Sequence, residues 1–394
     1  MASREVFVVS AARTPIGSFQ GQFASVTVPR LGATAIKAAV ERAGVEPSVV
    51  QRCFMGNVLS AGVGQAPARQ AALYAQLPKS VPCVTVSKVC GSGMEAVLQG
   101  ARTVMVGDAD VVVAGGMENM SLTPYALPTA RRGMRMNDQV VRDLMVFDGL
   151  WDPYGDKHMG LFAELCAEKY GFTREAQDQL AMNSYDRAQL ATAEGLFKRE
   201  IAPVSVPQRR GDPLVIDEDE EPKKYRKDKV AKLRPAFKKD GTVTAVNASS
   251  INDGAAALIL ASEQAVKQHK LTPLARLVSY GVQAQEPEWF TTAPVGASRS
   301  ALQRAELASG DIDYWEVNEA FAVVAMAARH DLEIPDERMN IHGSGCSIGH
   351  PIGASGARII VTLLHVLQEK EARRGLATLC IGGGEALASV WERP

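Results

Sequence analysis

The chain carries almost no net charge: 43 Lys and Arg stand against 44 Asp and Glu, leaving −1 over 394 residues. That balance removes any global electrostatic case for nucleic acid or an anionic membrane surface, so a charged substrate has to be met locally. No apolar run approaches the roughly 18 residues of a membrane-spanning helix. Met1-Ala2-Ser3-Arg4-Glu5 leads straight into Val6-Phe7-Val8-Val9, without the pattern of a cleavable leader. Cysteine is scarce, six residues at irregular spacing, which excludes a disulfide framework and fits reduced thiols in a cytoplasm-like compartment. The glycine runs lack the Lys-Ser/Thr and the spacing of a phosphate cradle, so neither a Walker nor a dinucleotide fingerprint is present. These exclusions leave a soluble, cytoplasmic, enzyme-sized chain of two or three domains with ample length for a large core.

What is present is an α/β pattern. Short valine-rich runs alternate with segments of helical period, as parallel strands alternate with crossover helices. Val6 to Ser10 and Val81 to Val86 read as strands; Pro29 to Ala43, Gln65 to Leu77 and Gly93 to Val106 read as helices, the last leading to a strand at Val111 to Ala114. The apolar runs are continuous rather than alternating, which implies a sheet covered on both faces. The order turn, helix, charged break, strand, glycine run, acid recurs in Cys90 to Glu118 and in Pro351 to Glu385, which suggests an internal duplication. Between the halves, Ser121 to Ser250 differs in character: Met- and Arg-rich, then helices at His158 to Tyr170 and from the N-cap Thr173 to Leu196, then a charged stretch, Asp217 to Lys229. The expected units are residues 1–120 with 251–273, an inserted loop domain at 121–250, and 274–394.

Three glycine-flanked turns carry reactive side chains. Cys90 stands in Val-Cys-Gly-Ser-Gly-Met-Glu, His350 in Gly-His-Pro-Ile-Gly-Ala-Ser-Gly, and Cys380 in Cys-Ile-Gly-Gly-Gly. A thiol opening a helix is a candidate nucleophile, because backbone N–H groups and the positive helix end favour the thiolate. Buried cysteines are otherwise small hydrophobes, the reading preferred for Cys53, Cys83 and Cys166. His269, His330 and His365 read as satisfied core or surface residues, whereas the backbone of His350 is fixed by Pro351 and the adjacent glycines.

Together with Asn318-Glu319-Ala320-Phe321, Asn247-Ala248-Ser249, Asn252-Asp253-Gly254 and Ala12-Arg13-Thr14-Pro15-Ile16-Gly17, these turns resemble the thiolase family, in that family's order and over the whole chain. His158-Met159-Gly160, preceded by Asp148-Gly149-Leu150, is similar to the branch that handles acetoacetyl-CoA. The resemblance implies a duplicated, five-layered α/β/α/β/α fold with an inserted loop domain. It also implies reversible Claisen condensation of two acetyl-CoA to acetoacetyl-CoA and CoA. Cys90 would be the acylated nucleophile, a thiolate suiting exchange with thioesters. His350 would take its proton and later donate to an enolate oxygen. Cys380 would be the acid/base at the substrate methyl, Gly382 would offer an N–H to the oxyanion beside that of Cys90, and Asn318 would hold a water in a second oxyanion site. Read without the family, Asn318 is equally a helix cap for Glu319 to Ala328.

For the coenzyme A ester the resemblance implies Ser249 on the pantetheine arm and Leu150, His158, Met159 and Phe290 around the acyl pocket. Lys223, Lys224 and Arg226 form a local basic cluster suited to phosphate, though a solvated charged loop reads the same way. CoA esters are the substrates and no cofactor or metal is expected; Pro222 stands where one branch has a cation-binding tyrosine, with Tyr225 nearby. The segment Tyr125 to Met145 resembles the loop that pairs dimers in tetrameric thiolases, so a homotetramer is expected. Cys346, in His342-Gly-Ser-Gly-Cys346-Ser, and Glu385 depart from the usual pattern. A broader 3-ketoacyl-CoA thiolase of β-oxidation is the nearest alternative. Ketoacyl synthases usually place histidine at the Cys380 position, and the complete Cys/His/Cys/Asn set argues against a merely CoA-binding protein.

Overall fold

A computed structural model describes residues 4–394, so the leader-free reading of Met1-Ala2-Ser3 lies outside the described residues. Nine strands build the main sheet: β1 (Val6–Arg13), β2 (Arg52–Gly56), β3 (Cys83–Val86), β4 (Val111–Asn119), β5 (Asn252–Ser262), β6 (Ala275–Ala284), β7 (Tyr314–Val317), β8 (Arg374–Ile381) and β9 (Glu385–Glu392). The spatial order is β7-β8-β9-β6-β1-β5-β4-β2-β3, with the short strand Gly17–Ser18 paired to β5. The two halves join where Phe7 and Val8 of β1 meet Arg276 and Ala275 of β6. Each half repeats one plan, since β2-β4-β5-β1 and β7-β8-β9-β6 run in the same spatial order, which is the expected duplication drawn in hydrogen bonds.

The helices complete five layers. Outside the first half lie α1 (Val28–Ala43) and α2 (Pro67–Tyr74), whose apolar faces share a core with Cys53, Met55, Val113 and Ile259. Outside the second half lie α6 (Ala293–Ala305) and α7 (Ala322–Asp331), packed with Trp315, Leu376 and Val390. Between the sheets run α3 (Ser92–Val106) and α8 (Ile352–Glu369), in one core with Leu258, Leu260, Leu379 and Leu387. Having sheet on both sides, α8 is buried around nearly its whole circumference, as its almost unbroken apolar sequence requires. It lies so close to α3 that a Cβ on Gly93 would come within 2.8 Å of the Ala357 nitrogen.

One expectation is corrected here. The strands are mostly antiparallel; only β2–β3, β2–β4 and β7–β8 pair in parallel. A strand covered by helices on both faces reads as a continuous apolar run in either orientation, so composition alone does not report direction.

The insert supplies α4 (Met159–Tyr170) and α5 (Arg174–Ala193), the latter capped by the Thr173 hydroxyl accepting from Ala176 N–H, as expected. Arg13, at the end of β1, locks the insert to the sheet. Its buried guanidinium donates to Glu200 at 2.6 Å and to both oxygens of Asp219 at 2.7 and 2.9 Å. Among the described residues no helix is long and apolar enough to cross a membrane, and no group of three or more His, Cys, Asp and Glu is placed to hold a metal ion.

Candidate active site

The duplication places two turns face to face. The turn entering α3 carries Cys90, and the turn entering α8 carries His350; both open on one apolar cavity of about 240 Å³. The loop after β8 brings Gly382 to the same wall, and the insert contributes Leu150, His158, Met159 and Ser249, with Phe290 closing one side. Cys380 and Asn318 are fully buried just behind this wall. Cys380 packs with Met159, Phe290 and Phe321. His158 has a second task as N-cap of α4, its Nδ1 accepting from Gly160 N–H at 3.1 Å.

His350 is held in one orientation. Its backbone N–H donates to Asn252 Oδ1 at 2.9 Å, and its Nδ1 lies 2.6 Å from Ser355 Oγ. Ser355 donates its own hydroxyl to the Pro351 carbonyl at 2.9 Å, so its oxygen is left to accept from Nδ1–H. This network assigns the proton to Nδ1 and leaves a lone pair on Nε2. Nε2 is buried and has no partner. Burial, and then the Arg358 charge, lower the imidazole to about 3, so it is neutral and free to accept a proton.

The thiols are in the opposite condition. Burial pushes Cys90 up to about 11, opposed by the Gly382 N–H and by its own N–H, both of which favour the thiolate. Desolvation outweighs the N–H groups that favour the thiolate, so the resting Cys90 is a thiol. Cys380 is raised well above the usual thiol value by burial and by the proximity of Cys90. A neutral imidazole and a protonated thiol therefore share one apolar cavity.

Asn318 is not a helix cap, because α7 begins at Ala322 with Phe321 in the cap position. Its amide lies 3.4 Å from His350 Nδ1 on one side and accepts from Arg358 at 3.4 Å on the other. Glu319 accepts from Ser184 Oγ at 2.6 Å, Asn340 Nδ2 at 2.8 Å and Cys346 N–H at 3.2 Å, so it braces the loop that holds Cys346.

The basic cluster is placed elsewhere. Lys223, Lys224 and Arg226 do not line the cavity, and they face Glu218 at 2.6 Å, Glu220 at 2.8 Å and Asp228 at 3.8 Å. Acids in the same short stretch occupy these cations. Tyr225 stacks on Tyr185 at 4.4 Å.

Two family models match the chain in tandem: the thiolase N-terminal domain over residues 6–264 and the thiolase C-terminal domain over residues 271–393. The chain belongs to the thiolase family. It is 50% identical over 390 residues to an acetyl-CoA acetyltransferase of Cupriavidus necator, covering 99% of each chain. It is also 50% identical over 394 residues to one of Schizosaccharomyces pombe, covering both chains completely. A Gibberella zeae relative described as a cytosolic acetyl-CoA acetyltransferase is 50% identical over 98% of each chain.

Sequence reasoning missed two walls of this thiolase cavity and one buried brace outside it. Phe237 stacks on His158 at 4.7 Å and lines the cavity, yet it sits in a lysine- and arginine-rich loop with no period to mark it. Phe321, although within a recognised motif, drew no role; it meets Phe237 and Phe290 edge-on at 6.1 and 6.3 Å. Glu118, the acid ending the first repeat, accepts from Asn57 at 2.6 Å, Val58 at 3.0 Å, Leu59 at 3.2 Å and Gly353 N–H at 3.0 Å, and burial raises it to about 7. It ties β4 to the start of α8, and so holds the His350 turn against the Cys90 half.

Proposed function

We propose that this thiolase is an acetyl-CoA C-acetyltransferase, interconverting two acetyl-CoA with acetoacetyl-CoA and free coenzyme A through an acetyl-Cys90 intermediate. The observation that carries the reading is the partnerless Nε2 of a neutral His350 on the same cavity as a thiol that receives the Gly382 N–H. Nε2 takes the Cys90 proton as sulfur attacks the thioester carbonyl. The N–H groups of Cys90 and Gly382 stabilise the oxyanion. The bond to sulfur of CoA breaks, and the departing thiolate leaves with the proton from His350. Cys380 then passes its own proton to His350 Nε2 and, as thiolate, takes a methyl proton from a second acetyl-CoA, whose enolate oxygen accepts from the protonated Nε2 with Asn318 behind. The carbanion attacks acetyl-Cys90, the carbon–sulfur bond breaks, and the proton on His350 Nε2 passes to the released Cys90 sulfur, which leaves both thiols protonated and the imidazole neutral. In thiolysis the same atoms run backwards, and the raised Cys380 thiol is suited to protonating the departing carbanion.

Chain-length preference follows from the wall. Phe290 and Met159 are buried side chains at the acyl end, so short acyl groups fit and longer ones must displace them. The substrates are CoA esters, with no cofactor or metal in the chemistry. Lys223, Lys224 and Arg226 would meet the nucleotide end only by releasing their acidic partners. The exposed Tyr125, Leu127, Met134, Met136, Val140 and Val141 of the inserted loop support assembly into a homotetramer in the cytoplasm. A panel of acetoacetyl-, 2-methylacetoacetyl- and 3-ketohexanoyl-CoA tests the assignment. A higher kcat/KM for 3-ketohexanoyl-CoA than for acetoacetyl-CoA overturns it in favour of a broad-range thiolase. Sedimentation as a monomer at micromolar concentration removes the assembly.

A further inference from the structure

The residue before Cys90 is strained. Val89 has φ 43°, a left-handed conformation that a β-branched residue adopts only where its surroundings impose it. From within the turn, Ser92 imposes it: Oγ accepts from Lys88 N–H and donates to the Val89 carbonyl, both at 2.7 Å. From outside, the turn is tied to the opposite half of the molecule. Lys88 Nζ makes an ion pair with the carboxylate of Glu385. Glu385 is the first residue of β9 and the register partner of Ile381, so it closes the Gly382-Gly383-Gly384 turn. Gly91 packs on the side chains of Ile381 and Leu387 from the same hairpin, leaving no room for a Cβ.

The sulfur of Cys90 and the N–H of Gly382 thus belong to different halves, and their separation depends on how two turns dock. The Gly382 turn has little side chain of its own to hold it, and Gly383 and Gly384 take φ 91° and 85°. The side chains of Lys88 and Glu385 are 26% and 35% exposed, a setting in which an ion pair adds little to stability. Neither residue lines the cavity.

We propose that Lys88 and Glu385 are positioning residues, whose ion pair cross-links the Cys90 turn to the Gly382 turn and holds the Gly382 N–H on the reacting sulfur and oxyanion. This rests on the reading of Cys90 as the acylated nucleophile. It gives the unusual acid after the glycine triplet a task, and it places the effect in the chemical steps rather than in substrate binding.

The test begins with wild-type enzyme briefly exposed to acetyl-CoA, where an acetyl group on Cys90 secures the nucleophile independently; its absence ends the underlying reading rather than the ion pair's role. Lys88→Met, Glu385→Gln, Lys88→Arg and the reversed pair Lys88→Glu with Glu385→Lys are then compared for kcat and KM in acetoacetyl-CoA thiolysis and for alkylation of Cys90 by iodoacetamide over a pH series. Each charge-removing variant is expected to lose about tenfold in kcat with KM nearly unchanged, a misplacement effect, and to shift its alkylation profile to higher pH. Lys88→Arg and the reversed pair should recover most of the loss. Wild-type kcat and alkylation in both charge-removing variants overturn the proposal, as does a loss confined to KM. If those variants fail to fold, Lys88→Arg still decides: a folded Lys88→Arg with its kcat reduced about tenfold overturns the proposal as well.

Discussion

In the first half of the molecule the turn into α3 carries Cys90, and the end of β4 carries Glu118; in the second, the turn into α8 carries His350, and the end of β8 carries Cys380, two residues before Gly382. The topology of these positions is equivalent while their chemistry is not. One strand ends in a carboxylate spent on four hydrogen bonds, the one from Gly353 reaching the other half, and the other ends in a buried thiol followed by the Gly382 N–H at the cavity. Duplication supplied two matching crevices at the ends of strands. Both halves line one cavity, and in the proposed mechanism the labour divides between them, with the nucleophile on one side and the base and carbon acid/base on the other.

Breaking the nucleophile turn should have the largest effect. Cys90→Ala is expected to lower acyl transfer by roughly 10⁴-fold or more, in line with removal of a catalytic nucleophile. Its melting temperature should stay near that of wild type, since the thiol faces a cavity rather than a packed neighbour; a large drop in stability would assign Cys90 to the core instead.

His350→Asn attacks the opposite turn and should slow acetylation of Cys90 by about 10²- to 10⁴-fold, the usual worth of a positioned base. The pH dependence gives the sign. His350 is lowered to about 3 and Cys90 raised to about 11, so the neutral-base, neutral-thiol pair persists throughout the window between. Wild-type acetylation should be flat across it, whereas alkylation of Cys90 in His350→Asn should climb with pH towards about 11 as the thiolate forms unaided. A variant with a flat alkylation profile would show that another group ionises Cys90.

Cys380→Ser sharpens the contrast between the two thiols. It should still form acetyl-Cys90, yet lose exchange of the acetyl-CoA methyl protons with deuterated water by about 10²-fold or more, because a hydroxyl is a far weaker acid than a thiol. Deuterium wash-in at the wild-type rate would move the base elsewhere.

How much of this comparison could be read from residues depended on where each signal lived. Cys90, His350 and Cys380 stand in local turns whose glycines mark them, and α1, α3 and α8 announce themselves by apolar content. Strand direction was hidden because β1 and β4 are buried on both faces and read as continuous apolar runs in either orientation. Asn318 resembled a cap because the following helix starts later than its composition suggests, at Ala322. Lys223, Lys224 and Arg226 looked like a phosphate site because charge counts along the chain omit pairing with Glu218, Glu220 and Asp228. Phe237 reaches the cavity only through tertiary folding, and nothing in its own segment predicts that.

The smallest expected effect is on selectivity. Phe290→Ala should narrow the preference for acetoacetyl-CoA over 3-ketohexanoyl-CoA by about tenfold, the scale of relieving an overfilled pocket of 1 to 3 kcal/mol. An unchanged ratio of kcat/KM would make Phe290 a wall residue without influence on length.

The most direct measurement is peptide mass spectrometry of enzyme quenched after brief exposure to acetyl-CoA. The division of labour predicts one acetyl group, on Cys90, with Cys380 unmodified. An active enzyme whose Cys90 stays unlabelled, or whose acetyl group sits on Cys380, would contradict it.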